Sequence, residues 1–308
     1  MVLCAMALVV TCAIAMTTGT APLADSGHGI FFKLPQPLIA DAGLSALVNV
    51  VCILLTGAVL LAINKVFTFV RSMTHLFVSA FFLLQLAHPS AVVSLNAGTL
   101  LCLLTTAMML PLFASFQDSH CQRSIFLIFT LAVTSALFHY GSLVLIPVFL
   151  FGFGSMRALG VKGLLAMFFG IITPFWIALG LGIVSTQEAL LPQWQLLVLP
   201  QMNLQFALVA TTALLGIVLA VVNLLTIMNY RIQPRVYNIF LIVLLLAAII
   251  AVGLDYSDLS FFLPLLNLMV AVQIAQAFSL STSLRYRYVF ILLFAAACLA
   301  AAIVQLMP

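Results

Sequence analysis

Two carboxylates three residues apart, Asp255 and Asp258, enclose Tyr256 and Ser257 in a short polar break between apolar runs. At that spacing in a tight turn, two acids can trade a proton with a substrate or hold a divalent cation. Asp25, His28, Lys33, Asp41, His88, His139, Tyr140 and Glu188 fall in or beside other breaks of the same alternate set. The acids and imidazoles offer general acid–base groups. The Lys33 ammonium could meet a lipid phosphate as a point charge. The ordinary alternative is that loop acids stay in water and that Lys33 snorkels into headgroups beside Phe31 and Phe32.

The elements that must position these groups follow from composition. The 308 residues are 66% hydrophobic and only 5% charged, with a mean hydropathy of +1.35. A soluble domain carries about a quarter charged residues, so lipid has to be the solvent. Apolar runs of roughly 17 to 25 residues recur, each long enough to cross as a helix, and they lack the alternation of a membrane barrel. Eleven spans are predicted: about 2–18, 42–63, 72–87, 91–115, 124–139, 142–156, 163–184, 204–227, 237–254, 260–280 and 288–306. Arg123 and Arg157 flank the fifth and sixth, which predicts a hairpin turning at His139-Tyr140-Gly141. The chain reads as one all-α transmembrane domain over 1–308, a polytopic helical bundle.

Charge sets the orientation. Of ten Lys and Arg, nine (Lys65, Arg71, Arg123, Arg157, Lys162, Arg231, Arg235, Arg285 and Arg287) fall in one set of connectors. The positive-inside bias makes that side cytoplasmic, with the N-terminus inside and the C-terminus outside. Lys33 and five of the six acids fall on the other side. Met1 is followed by Val2, Leu3 and Cys4 with no basic residue, which predicts an uncleaved first helix or a start further upstream; cleavage after Thr17–Ala24 is the alternative. Two outer connectors, 27–36 and 187–199, are expected to lie along the interface, the second with Trp194 as an aromatic anchor.

Inside the spans the polar residues are Asn49, Gln85, Asn96, Asn223, Asn267, Gln273 and Gln276. Hydrogen bonds to neighbouring helices are their expected role. No span has an acid or base at its centre, which argues against a proton- or sodium-driven pump. The six cysteines are scattered, with no CxxC or Cys/His spacing. There is no P-loop, GxSxG or HExxH. The positive charge sits in singles and pairs at span ends, so nucleic acid is not an expected partner.

Three stretches carry a resemblance. They are Asn64-Lys65 with Arg71 and the run LFVSAFFLLQLAHPS, the segment SIFLIFTLAVTSALFHYGSLVLIPVFLFGFGSMRAL, and GIITPFWIALGLG. Their order and spacing resemble a family of uncharacterised integral-membrane proteins of Bacteroidetes. That resemblance implies a membrane domain of about this length and transfers no catalytic residue. A looser likeness is to multi-spanning lipid-linked sugar transferases, which place an acid in the first long outer loop, where Asp25 and Asp41 stand here. Those enzymes usually present several outer basic residues to the lipid phosphate, and only Lys33 is available.

The expected role is the handling of a lipid-linked intermediate in envelope biogenesis, at the outer face of a bacterial inner membrane. A non-catalytic scaffold and a small-molecule transporter are the alternatives. Asp25, Asp41, Asp255 and Asp258 are the candidate catalytic carboxylates. Lys33, His28, His139 and Tyr140 are the candidate substrate-binding groups. The expected partners are membrane lipid and a polyprenyl-linked substrate; neither a metal nor a cofactor is expected.

Overall fold

Lipid offers no partner to a backbone N–H or C=O, so each apolar run has to close its hydrogen bonds internally. The computed structural model describes residues 1–21, 29–32, 38–70, 75–118, 120–182, 203–227, 232–254, 259–280 and 284–306. Every regular element among them is helical. The helices are α1 (Val2–Thr17), α2 (Ala42–Phe67), α3 (Leu76–Leu86), α4 (Pro89–Val92), α5 (Ala97–Ala114) and α6 (Gln122–Phe138). A 3₁₀ turn (Tyr140–Val144) then leads into α7 (Leu145–Ser155). The chain continues through α8 (Val161–Gly180), α9 (Leu204–Ile227), α10 (Ile232–Leu254), α11 (Leu259–Leu280) and α12 (Leu284–Leu306).

Seven of these helices are long and apolar enough to cross a membrane: α2, α5, α8, α9, α10, α11 and α12. The other four runs that the sequence marks as spans are shorter apolar helices. The shortest is α3, whose 11 residues rise about 16 Å, roughly half of a hydrocarbon core. It stops at His88, whose φ of −124° and ψ of 75° are non-helical, as expected for a residue that precedes proline. The one-turn α4 follows, and α5 restarts only at Asn96, whose side chain accepts from the Thr99 N–H at 3.0 Å. This broken stretch stays within the protein because α2 serves its loose ends. Asn49 donates to the carbonyls of Ala91 (3.0 Å) and Val92 (2.9 Å), and the Ser45 hydroxyl accepts from the Leu95 N–H.

The centre of the bundle is α11. Its apolar stretch is 94% buried, against 11% for α12. It packs on α3, α5, α9 and α10. At its start, Gly98 of α5 lies so close to the carbonyls of Ser260 and Phe261 that a Cβ there would overlap them. Further along, the Cys102 thiol meets the Pro264 carbonyl. These two contacts make α5 and α11 parallel neighbours.

The connectors then sort the charges. The Tyr237 hydroxyl at the start of α10 donates to the Phe113 carbonyl at the end of α5, and Phe67 at the end of α2 packs on both rings. The Gln117 N–H donates to the Met156 carbonyl, so α6 and α7 fold back on each other. Gly163 of α8 sits against Ile125 of α6. Lys65, Arg123, Arg157, Lys162 and Arg235 therefore gather at one end of the bundle. They are all the lysines and arginines whose side chains are described. The starts of α2, α5 and α11 and the end of α6 form the opposite end.

Candidate functional site

At the end of α6 the chain turns on His139. Its extended backbone (φ −151°, ψ 119°) stops the helix, and its N–H still closes onto the Ser135 carbonyl at 2.9 Å. The imidazole is 3% exposed and lies flat on Phe261, with ring centroids 3.5 Å apart and planes within 7°. Nδ1 accepts from the Gly141 N–H at 3.1 Å. That bond puts the proton of the neutral ring on Nε2. Gly141 is held by space: a Cβ there would lie 2.6 Å from Phe261 Cε1 and 2.7 Å from Phe262 Cζ. Ser142 closes the corner, its hydroxyl 2.7 Å from that of Ser135. Tyr140, between His139 and Gly141, is half-buried.

A short strap from the first long connector covers this corner. Gly29–Phe32 runs against the last turn of α6. The Ile30 N–H donates to Ala136, and those of Phe31 and Phe32 to Leu137. These carbonyls stand at the helix end, where intrahelical donors run out. Gly29 approaches the Leu137 carbonyl so closely that only a residue without a Cβ fits. Phe32 stacks on Phe138, centroids 5.0 Å apart.

From this corner a groove of about 520 Å³ runs between α5 and α6, within the usual 300–1,000 Å³ of ligand sites. Its walls are apolar, with Leu100, Leu104 and Ala107 on one side and Leu131 and Phe138 on the other. From Ala97 to Ala107 it follows α5 for about 15 Å. Thr134, Ser135 and His139 line it on the α6 side. A second groove of about 430 Å³, between α1, α2 and α3, has walls such as Met6, Leu54, Leu61 and Phe82 and no polar end. The first can seat an apolar chain with a polar head; the second offers a head nothing.

Of the residues singled out from sequence, His139 and Tyr140 stand at this corner. Asp41 stands at the same end of the bundle, where it is exposed and caps α2, accepting from the Gly43 N–H at 2.9 Å. Asp25, His28, Lys33, Asp255 and Asp258 lie outside the described residues, as do Glu188, Trp194 and the whole of 187–199. The strap is nevertheless bonded in sequence to His28 at one end and to Lys33 at the other. Thr134, Ser135 and Ser142 were not singled out. Their signal was available: two hydroxyls in the turn before His139 and a third just after it. Among the described residues no group of three His, Cys, Asp or Glu could hold a metal.

Fold and site together define a multi-pass helical membrane protein with a groove that is apolar along its length and polar at one end. No protein-family model, no curated protein and no solved structure matches the chain.

Proposed function

We propose that this chain is a bacterial inner-membrane protein that handles a lipid-linked intermediate of envelope biogenesis at the face opposite its basic end. The basic end is then cytoplasmic, as the positive-inside bias requires. The observation that carries the reading is the α5/α6 groove, whose apolar walls lead to Thr134, Ser135 and His139. An isoprenoid or acyl chain would lie against Leu100, Leu104 and Ala107, with its head at the His139 corner. Thr134, Ser135 and His139 are the polar side chains at that end of the groove. Lys33 would add the fixed positive charge, and Asp25, Asp41, Asp255 and Asp258 are the carboxylates available for proton transfer.

The test is lipid retention. Protein purified in nanodiscs that contain a polyprenyl phosphate and phosphatidylglycerol is released and weighed by native mass spectrometry. The wild type should retain the polyprenyl phosphate. Leu104→Trp, which fills the groove, should weaken retention roughly tenfold, equivalent to about 1.4 kcal/mol. Equal retention by both proteins would remove the groove from the reading. Retention of phosphatidylglycerol alone would keep the groove and remove the lipid-linked substrate.

A further inference from the structure

The helices α9, α10 and α11 meet closely at Gly216. A Cβ there would lie 2.9 Å from Val270 Cγ2 and 3.3 Å from Leu245 Cδ1. Two turns toward the basic end, seven residues along each helix and on the same face, stand Asn223 on α9, Asn238 on α10 and Ala277 on α11. Gln273 and Gln276 precede Ala277 by four residues and one residue. The register thus brings four amides into one layer, and all four are at most 2% exposed.

Their own bonds satisfy little of this layer. Asn223 Nδ2 donates to the Gln273 backbone carbonyl at 2.9 Å and to its Oε1 at 2.8 Å. Six other side-chain atoms have no partner among the described residues: Asn223 Oδ1, both polar atoms of Asn238, Gln273 Nε2 and both polar atoms of Gln276. A folded protein does not carry that many dry, unpaired polar atoms in one place, because each costs as much as a hydrogen bond or more.

The inventory selects its chemistry. Three of the six atoms are carbonyl oxygens, which only accept, and three are amide nitrogens, which only donate. A cation would satisfy the oxygens and strand the nitrogens; an anion would do the reverse. Arg235, one turn below Asn238, further disfavours a cation. A neutral guest that both donates and accepts fits the whole set.

We infer that the layer formed by Asn223, Asn238, Gln273 and Gln276 is a built site for water, buried between three helices near the basic end. At about three bonds per buried water, two waters satisfy the six atoms. The site is separate from the α5/α6 groove and independent of the proposed lipid.

The sign of a stability change tests it. In a hydrated layer, Asn238→Leu or Gln276→Leu displaces water and leaves the remaining amides dry. Each variant should then lower the thermal midpoint in nanodiscs by roughly 2 °C or more. A raised or unchanged midpoint would mean that the layer is dry and would overturn the inference. A midpoint of the wild type that rises when potassium or sodium replaces choline at equal ionic strength would overturn it in favour of a cation. Should both variants fail to fold, radiolytic hydroxyl labelling of the wild type gives the answer. Buried Leu241, one turn from Asn238, should be labelled well above buried Leu137, which lies in α6 near the opposite end. Equal labelling of the two would sink the water site.

Discussion

At the α6–α7 corner, polar groups find partners within a few residues of themselves. In the α9/α10/α11 layer, they come from three helices and most find none among the described residues. Ser135 reaches Ser142, and His139 reaches Gly141; each pair is fixed by the local turn before any distant helix arrives. Asn223 and Gln273 meet across 50 residues, and Asn238 and Gln276 bring four further polar atoms with no partner among the described residues. The corner is specified by backbone geometry, the layer by the register of packed helices. The first should be brittle to added volume. The second should be sensitive to lost polarity.

The largest effect is expected at Gly141. Gly141→Val drives its side chain into Phe261 and Phe262, and Phe261 is the ring under His139. Overpacking of this kind costs about 1–3 kcal/mol, and the upper part of that range is expected because two rings must move. Unfolding in mixed micelles would measure it; a loss below half a kilocalorie would show that the corner is softer than its geometry. Ser142→Ala comes next. It leaves the Ser135 hydroxyl without its 2.7 Å partner, at about 1 kcal/mol. A cycle with Ser135→Ala should return a coupling near 0.6 kcal/mol, typical for a membrane interior. Zero coupling would mean that the two hydroxyls do not share a bond.

The smallest effect separates structure from chemistry at Asp41. Asp41→Ala removes the α2 cap and costs about 1 kcal/mol, whereas Asp41→Asn keeps a good cap and should cost a few tenths. If the carboxylate also has a chemical task, Asp41→Asn should lose cellular function at normal abundance. Full complementation by Asp41→Asn would leave Asp41 as a cap alone.

Much of the architecture was written in the sequence because lipid leaves few choices. An apolar run must become helix, and a buried Lys or Arg is costly enough that Lys65, Arg123, Arg157, Lys162 and Arg235 collect at one end. The turn at His139-Tyr140-Gly141 was legible for the same reason. The restart at Asn96 was not. The run 91–115 reads as one continuous span, yet the chain stays irregular up to Asn96, and only the capping role of that asparagine marks it. Nor did hydropathy point to the central position of α11, which is less hydropathic than the more exposed α9 and α10 beside it. The available clue was that Ser260, Asn267, Gln273 and Gln276 fall on several faces of one helix, which a lipid-facing helix does not tolerate. Of the candidate site, His139 was legible as a polar group at a span end. The groove beside it was not, because it is made by α5 and α6 standing apart rather than by any motif.

The burial of α11 also has a consequence for how the protein is made. The helix that fills the middle of the bundle comes late in the chain, after ten of the described helices. Its neighbour α3 leaves the ribosome about 180 residues earlier, which at roughly 5–20 residues per second is about 10 to 40 s. Throughout that interval Gln85, Leu84 and the α3 face that will meet Asn267 have no central post to pack against. A nascent chain cut before Leu259 would hold ten of its helices around an open slot. In that intermediate the faces of α3, α5, α9 and α10 that pack on α11 are still uncovered.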